Sequence, residues 1–377
     1  MQRMVESHYQ SSLIESMRAN SFTLEHSGTT IQLAREFGFC YGVERAIDLA
    51  YAARKVFPDA RFFLVGEIIH NPLVNEHIAA LGILNLLDES GRAKVEELRS
   101  DDVVIVPAFG VEISLMERIR QSGCRIVDTT CGDVMSVWRR VRKNAEEGVT
   151  SIIHGKAAHE ETRATVSRAI GDGAGHFLVV FDVGEAEFVC EHIRGYGNRA
   201  AFLEKFSGKY SEGFDPDIHL SRIGVANQTT MFRAETEAVQ RLLREALLAR
   251  DGHTKNFRSF DTICGATQDR QDALKNLLST PLDLLVVVGG YNSSNTTHLA
   301  EIGARKVPTW FVRNQACLES IDRIRHFDLA TKREVVSDTT WLPPGELRIG
   351  VTAGASCPNN LIEEVIQRIL ELRGDLE

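Results

Sequence analysis

The chain has 377 residues, a length that predicts two or three domains rather than one core. Hydrophobic residues make up 43% and charged residues 25%, as in a folded soluble protein. The net charge of -9 argues against non-specific nucleic-acid binding, and no apolar run reaches membrane-spanning length. The N-terminus lacks a secretory h-region and carries acidic residues, which argues against an attached transit peptide.

Residues 1–27 form a polar and weakly amphipathic segment in which Leu13, Ile14 and Met17 recur at helical spacing. We expect a helical N-terminal extension that lies on the surface. From about residue 29 onward one unit repeats, consisting of a short apolar strand, a polar or glycine-containing loop and a helix. Strands that alternate with helices predict an α/β fold with mainly parallel sheets.

The strands of this repeated unit are short apolar runs, each followed by polar residues. They are predicted at residues 31–34, 62–65, 103–106, 125–127, 151–153, 223–226, 284–290 and 348–351. Ligands of parallel sheets bind at the carboxyl ends of strands, so we expect the site where these polar loops lie. Residues 195–221, which are rich in glycine, are predicted to be an irregular surface excursion.

The run Asn292-Ser293-Ser294-Asn295 follows the most apolar of these strands and precedes a predicted helix. Free backbone N–H groups and the positive end of the helix dipole favour an anion here, and Ser and Asn side chains add neutral donors. Ordinary helix capping explains the same residue types.

Seven cysteines are scattered along the chain, an odd number without a secretion signal, which fits free thiols in a reducing compartment. Cys40, Cys131 and Cys264 each lie in a strand-end loop before a predicted helix, where the dipole stabilises a thiolate. Three such thiolates, if they converge, can hold an iron–sulfur cluster with one iron left open. The alternative for each is a buried apolar cysteine. The remaining four fit that alternative better: Cys124, Cys190, Cys317 and the ambiguous Cys357.

The cluster His159-Glu160-Glu161 offers hydrogen-bond donors and a carboxylate that can deliver protons in a dry site. A solvated helix start with acidic residues in its first turn is the competing interpretation. Similarly, His70 is either a ligand or a residue near a helix cap, and Thr229 and Thr230 are either site residues or a capping pair.

Several longer motifs carry a resemblance to a known family. They are Gly38-Phe39-Cys40-Tyr41-Gly42-Val43-Glu44-Arg45-Ala46, Glu67-Ile68-Ile69-His70-Asn71-Pro72, Asp128-Thr129-Thr130-Cys131, Gln228-Thr229-Thr230, the Cys264 segment to Gln271, Asn292-Ser293-Ser294-Asn295 and Thr352-Ala353-Gly354-Ala355-Ser356. In these motifs, over residues 30–370, the chain resembles the 4-hydroxy-3-methylbut-2-enyl diphosphate reductase family. Its plant and cyanobacterial branch is the most similar.

The resemblance implies three small α/β domains in a trefoil around a central cavity that holds a [4Fe–4S] cluster. The expected boundaries are 28–130, 131–262 and 263–377, after the extension 1–27, with residues 28–40 packing on the third domain. The implied reaction removes the substrate hydroxyl with two electrons and two protons. It yields isopentenyl and dimethylallyl diphosphate, the last step of the methylerythritol phosphate route.

The resemblance also implies site residues. Cys40, Cys131 and Cys264 are the implied cluster ligands, Glu161 is the implied proton donor, and Thr229 assists it. The residues implied to bind the diphosphate are His70, His159, Ser293, Asn295 and Ser356, with Ser294 lining the same pocket.

Two positions depart from the family pattern. Phe109 stands where most bacterial members carry a histidine that binds the diphosphate, and Gly132 stands where proline is usual. The loss of one charge-assisted donor costs about 1.5–3 kcal/mol unless it is replaced. We expect Lys156 to replace it, because this residue lies in the loop that also supplies His159.

No dinucleotide fingerprint occurs, so the electrons are expected from a one-electron carrier protein, a ferredoxin or a flavodoxin. The basic run at residues 138–143 follows Cys131 and is a candidate docking patch, although a solvated helix face has the same composition. We expect the cytoplasm, or the plastid stroma in a plant or alga. A non-redox iron enzyme, an iron–sulfur sensor and a plain anion-binding protein are the rival functions.

Overall fold

The computed structural model describes residues 8–171 and 173–374 of the chain. The chain divides into two compact units. The first comprises Met1–Val56, Ile69–Leu81 and Gly265–Glu377, and the second comprises Phe57–Ile68 and Gly82–Cys264.

Thirteen α-helices are described. In chain order they are α1 (Ser12–Ala19), α2 (Tyr41–Val56), α3 (Pro72–Ala80), α4 (Ile113–Gln121), α5 (Gly132–Glu146), α6 (Glu160–Ala169), α7 (Val183–Ile193), α8 (Arg199–Lys205), α9 (Pro216–His219), α10 (Arg233–Asp251), α11 (Gly265–Leu277), α12 (Ser294–Ala304) and α13 (Asn359–Leu372). Short 3-10 turns occupy Val95–Glu97 and Gln315–Cys317.

Sixteen strands are described. They are β1 (Thr23–His26), β2 (Thr29–Leu33), β3 (Phe62–Leu64), β4 (Ile83–Asn85), β5 (Val103–Val106), β6 (Arg125–Asp128), β7 (Thr150–His154), β8 (Phe177–Val180), β9 (Ile223–Asn227), β10 (Phe257–Ser259), β11 (Leu284–Val288), β12 (Thr309–Val312), β13 (Leu318–Ser320), β14 (Arg323–Asp328), β15 (Arg333–Asp338) and β16 (Leu347–Ala353).

The first unit is built on sheet A, with strand order β1-β2-β16-β11-β12. Only β1 runs antiparallel, and every residue of the central strand β11 is buried. A continuous Leu/Val strand is typical of a parallel sheet covered on both faces. In β2, Ile31 pairs with Ile349 of β16, so an early strand and a late strand are neighbours in the same sheet.

The second unit contains two further parallel sheets. Sheet B has the order β4-β3-β5-β6 and sheet C has the order β10-β9-β7-β8. The prediction of an α/β fold with mainly parallel sheets is therefore confirmed, and each predicted strand is present. The arrangement of three domains around a central cavity stays a prediction from the resemblance.

The N-terminal extension differs from its prediction as a surface element. Tyr9, Ile14 and Met17 are 2%, 0% and 1% exposed, and the last two belong to the core cluster of sheet A. The Tyr9 hydroxyl also lies 3.0 Å from His77 Nδ1. The extension is part of the first unit because its short apolar stripe is wide enough to pack on α13 and the sheet.

The glycine-rich excursion at residues 195–221 also differs from its prediction as irregular surface. It contains α8 and α9, and Phe202 and Phe206 are both 0% exposed in the core of sheet C. Aromatic side chains bury enough area to anchor a segment that has little regular structure.

A meander of antiparallel strands, β13-β14-β15, was not predicted from the sequence. Among the described residues, no helix is both long enough and apolar enough to cross a membrane.

Candidate active site

The polar loops of the first unit lie at the carboxyl edge of sheet A. The loop after β2 carries Cys40, the loop after β11 carries Ser293, and the loop after β16 carries Ser356. Because β2, β16 and β11 are parallel neighbours, these three loops emerge on the same side of the sheet.

Hydrogen bonds link these loops to one another. Cys40 N–H donates to Ala355 O at 3.1 Å, and Ala355 N–H donates to Asn295 Oδ1 at 3.1 Å. The Ser356 hydroxyl donates to His70 O at 3.1 Å. The structure thus brings together four of the six predicted site residues of this unit, namely Cys40, His70, Asn295 and Ser356.

The start of α12 supplies the remaining two, Ser293 and Ser294. Ser293 is the N-cap, and its Oγ accepts from Thr296 N–H at 3.3 Å. The capping interpretation is therefore correct, but it leaves the anion interpretation intact because a hydroxyl that accepts one bond can still donate another. Ser293, Ser294 and Asn295 are 5%, 4% and 3% exposed, so their polar groups face a largely dry environment.

A glycine makes the close approach of two of these loops possible. A Cβ on Gly354 would lie 1.9 Å from Thr296 Oγ1, which is a severe steric clash. The glycine therefore lets the loop after β16 pack directly on the first turn of α12.

In the second unit, Glu161 and Thr229 come together from the carboxyl ends of β7 and β9. Thr229 N–H donates to Glu161 Oε1 at 2.7 Å, and the Thr229 hydroxyl donates to Oε2 at 3.0 Å. Glu161 is 3% exposed and Thr229 is 5% exposed. The interpretation of Glu161 as part of a solvated helix start is wrong, although Glu160 beside it is exposed. The capping interpretation of Thr229 is also wrong, because the N-cap of α10 is Phe232.

His159 is the N-cap of α6, and its Nδ1 accepts from Glu161 N–H at 3.1 Å. This bond leaves Nε2 as the N–H donor of a neutral ring. The ring of Phe109, which comes from the loop after β5, lies 6.5 Å from the His159 ring in an edge-to-face arrangement. Phe109 therefore fills the space beside His159 with an apolar side chain, where the family pattern has a histidine.

Gln228 belongs to one of the family motifs, but the sequence alone assigned it no role in the site. Gln228 is 2% exposed, and its Oε1 accepts from Lys156 N–H at 3.1 Å and from the Thr162 hydroxyl at 3.3 Å. Its Nε2 donates to Thr230 Oγ1 at 2.8 Å. Gln228 thus fixes the loop that carries Lys156 and His159 against the loop that carries Thr229. Its place directly after an apolar strand was the available signal.

The three predicted ligand cysteines share one local geometry. Cys40 directly precedes α2, Cys131 is the N-cap of α5, and Cys264 directly precedes α11, so the prediction that each precedes a helix is confirmed. All three are half-buried, and none of them forms a disulfide. Cys264 N–H donates to Thr229 O at 3.2 Å, which places this thiol segment beside the Glu161–Thr229 pair. Cys131 N–H donates to Ala108 O at 2.8 Å, next to Phe109.

The other cysteines differ in environment. Cys190, Cys317 and Cys357 are buried, and Cys124 is half-buried with its thiol 3.6 Å from Ile119 O. Burial raises the pKa of Cys190 to about 11 and raises the pKa of Cys357 further. These two thiols stay protonated at neutral pH and are poor metal ligands.

Comparisons with known proteins agree with the sequence motifs. A model of the LytB protein family matches residues 31–370. The chain is 48% identical to the 4-hydroxy-3-methylbut-2-enyl diphosphate reductases of Synechococcus sp. strain RCC307 and of Gloeobacter violaceus. Each match covers 98% of this chain, and 90% and 89% of the relatives.

Two solved structures are similar. One is a (E)-4-hydroxy-3-methyl-but-2-enyl diphosphate reductase described as the terminal enzyme of the non-mevalonate pathway, with a TM-score of 0.55 and 26% identity. The match covers 90% of this chain and 99% of the solved chain. The reductase from Plasmodium falciparum has a TM-score of 0.67 and 20% identity, covers 92% and 90% of the two chains, and supports the fold alone.

Proposed function

The chain belongs to the LytB protein family, and we propose that it reduces 4-hydroxy-3-methylbut-2-enyl diphosphate to isopentenyl and dimethylallyl diphosphate. One carbon–oxygen bond of the substrate breaks. Two electrons and two protons are consumed, one proton leaves with the oxygen as water, and the other is added to carbon. The observation that carries this proposal is the family match across residues 31–370, which spans every predicted thiol, diphosphate donor and acid.

The cofactor of this proposal is a [4Fe–4S] cluster held by Cys40, Cys131 and Cys264. These residues fit the group, because each cysteine is half-buried, forms no disulfide and lies at the positive end of a helix, where a thiolate is stabilised. When bound, such a cluster supplies electrons one at a time. The buried thiols of Cys190 and Cys357 do not offer this environment.

We further propose that the diphosphate binds to neutral donors, to helix ends and to one cationic donor, Lys156. In the first unit these are Ser293, Ser294 and Asn295 at the start of α12, together with Ser356 and His70. In the second unit they are His159 and Lys156. Backbone N–H groups at a helix start and the helix dipole favour a polyanion even where few side chains are charged. Ser293 and Asn295 are buried, and this burial would strengthen the hydrogen bonds that they donate to the diphosphate.

The proton-transfer group of the proposal is Glu161. Its carboxylate is buried, and both of its oxygens have a donor on Thr229, so its position is fixed before the substrate arrives. In the protonated form, one oxygen carries the transferable proton. The Thr229 hydroxyl can then reverse its hydrogen bond, because a hydroxyl both donates and accepts.

Electrons reach the enzyme from a one-electron carrier protein in this proposal, and the reaction takes place in the cytoplasm or the plastid stroma. None of the seven cysteines forms a disulfide, which supports a reducing compartment.

The test is an anaerobic purification followed by measurement of iron content, the visible spectrum and the oxidation of reduced methyl viologen on addition of substrate. We expect cluster absorbance and substrate-dependent oxidation. Both should be lost when Cys40, Cys131 or Cys264 is replaced by serine, and Cys124→Ser serves as the matched control. A protein that binds no iron after anaerobic reconstitution would refute the proposal. Cluster absorbance without substrate-dependent oxidation would instead favour a sensor.

A further inference from the structure

A basic groove lies on the second unit, between α5 and the segment that leads from β10 to Cys264. Its volume is about 490 Å³. Its charged residues are four cations and one carboxylate, namely Arg139, Arg140, Lys143, Arg258 and Glu147. Glu147 is paired with Arg258 and lies 3.8 Å from Lys143 Nζ, so the acidic group is already neutralised within the groove.

The floor of the groove is apolar and ordered. Phe260 is half-buried, and the Arg140 guanidinium lies over its ring at 4.7 Å. Gln240 Nε2 donates to Phe260 O at 3.2 Å, and Phe260 N–H donates to Val225 O at 3.2 Å. The groove therefore combines an aromatic surface, held by backbone hydrogen bonds, with a rim of cations. That combination is typical of docking sites that form transient complexes.

The basic run on α5 does not form the single patch that the sequence predicts. Arg139 and Lys143 are four residues apart and share a helix face, and Arg140 is adjacent to it. Arg142 lies on the other side of α5, where it lines a cavity of about 690 Å³ with Trp138 and Arg168. The structure thus removes Arg142 from the candidate docking surface and adds Arg258.

The groove is close to two of the proposed cluster ligands. Arg139 is eight residues beyond Cys131 on a continuous helix, which places it roughly 12 Å along the helix axis. Phe260 is four residues before Cys264, so the chain between them spans at most about 14 Å. The groove is thus bounded by two segments that each lead to a proposed ligand, α5 to Cys131 and residues 258–260 to Cys264.

We propose that this groove docks a small acidic carrier protein that delivers one electron per encounter. The inference rests on the proposed reductase function and names the surface that serves it. Two reduced carrier molecules dock in turn, and each leaves oxidised by one electron. The two electrons, with two protons, convert the substrate alcohol to the alkene product and water. Charge complementarity raises the association rate of the carrier. Brief docking lets the oxidised carrier leave and a second reduced carrier bind before the second electron is delivered.

The test measures docking apart from turnover. The probe is a plant-type ferredoxin in which gallium replaces iron, so that it binds without transferring electrons, and binding to the holoenzyme is measured by calorimetry. We expect Arg139→Glu/Lys143→Glu to weaken binding at least about 10-fold, since two attractive charges become repulsive. Arg142→Glu is the control for a single charge reversal at a residue that lines the other cavity, and it should leave binding unchanged, whereas Arg139→Glu alone should weaken binding.

Turnover supplies the second readout. With reduced ferredoxin, the double variant should show a raised KM for the carrier and a weaker dependence on salt, since fewer charges interact over the Debye length. With methyl viologen, a small donor, its rate should equal that of the wild type. Equal binding by the double variant, or an equal loss in Arg142→Glu, would overturn this docking surface. If the wild type fails to turn over with viologen, the proposed function itself fails.

Discussion

Thr229 holds both oxygens of the Glu161 carboxylate, with its N–H 2.7 Å from Oε1 and its hydroxyl 3.0 Å from Oε2. The two residues are 68 positions apart: Glu161 lies in the first turn of α6, which follows β7, and Thr229 lies in the loop after the neighbouring parallel strand β9. The pair is thus a product of strand order. The proposed role of Glu161 as the proton donor can be tested by removing its transferable proton or the hydroxyl of Thr229.

Replacing Glu161 with glutamine keeps the shape of the side chain but removes the transferable proton. We expect kcat to fall by about 10²- to 10⁴-fold, with substrate affinity close to that of the wild type. Viologen oxidation gives kcat, and calorimetry without a reductant gives the affinity. Glu160→Gln, at the exposed neighbouring position, should retain full activity. Equal losses in the two variants would show that the burial of Glu161 is irrelevant to the reaction.

Thr229→Val removes the hydroxyl but keeps the backbone bond to Glu161. A hydrogen bond to a charged group is worth about 1.5–3 kcal/mol, so we expect kcat to fall by about 10- to 100-fold. Thr229→Ser restores the hydroxyl and should restore most of the rate. A valine variant that keeps the wild-type rate would remove Thr229 from the proton path.

Lys156→Ala tests whether this residue replaces the histidine that Phe109 displaces. We expect the substrate Kd, measured calorimetrically without a reductant, to rise about 10- to 100-fold through loss of a charge-assisted bond. Lys306→Ala, an exposed lysine after α12, is the control. Adding Phe109→His to the Lys156→Ala variant should recover affinity, because the new ring would occupy the position of Phe109 beside His159. An unchanged Kd in Lys156→Ala would disprove the replacement.

Arg61 and Asp102 form a bidentate ion pair in sheet B, with bonds of 2.8 and 2.6 Å, and Arg99 N–H adds a bond of 2.7 Å. Burial opposes ionisation of Asp102, but these hydrogen bonds outweigh it and lower its pKa below the usual 3.8. A lowered carboxyl pKa adds stability above the unfolded pKa, and this stability is lost as the pH falls through the folded pKa.

We therefore expect Arg61→Ala to lower the free energy of unfolding by about 1–3 kcal/mol at pH 7, less than for a fully buried pair because Arg61 is 41% exposed. The difference from the wild type should shrink below about pH 4, where Asp102 begins to be protonated. Urea denaturation at several pH values measures both. Arg92→Ala breaks an exposed pair with Glu96 and should cost less than about 1 kcal/mol. A difference for Arg61→Ala that does not depend on pH would contradict the linkage.

Ile14→Ala tests the burial of the N-terminal helix. Removing a fully buried isoleucine side chain typically costs about 2–5 kcal/mol, so a clear fall in the urea midpoint is expected. Ser16→Ala, on the exposed face of the same helix, should leave the midpoint unchanged or slightly raised. Similar midpoints for the two variants would mean that the extension is not part of the folded core.

The sequence predicted the parts of the fold that rest on apolar runs. The strands around Val104 and Val286 are continuous apolar segments, and both are interior strands of their sheets. The meander β13-β14-β15 was missed because its strands are rich in charged residues, as in Arg333–Asp338, and resemble loop sequence. The burial of Ile14 was missed because a short stripe does not reveal whether a partner surface exists.

The candidate site was predicted only as a set of residue types and positions. Cysteines before helices and polar residues after strands are local features, and the structure has them where expected. The contact of Glu161 with Thr229 and the support from Gln228 depend on which strands are neighbours, which no local pattern specifies. The division of the basic run between two faces of α5 follows from helical periodicity and from the position of β10.

The pairing of β2 with β16 fixes an order of events during synthesis. A ribosome produces Cys40 long before it produces the carbonyl of Ala355 that holds its backbone and the strand β16 that lies beside β2. Sheets B and C contain no residues beyond 264 and can fold while the chain is still growing. The Cys40 loop therefore reaches its final position only after β16 and Ala355 have been made, and any group bound through all three cysteines is fully held only from that point on.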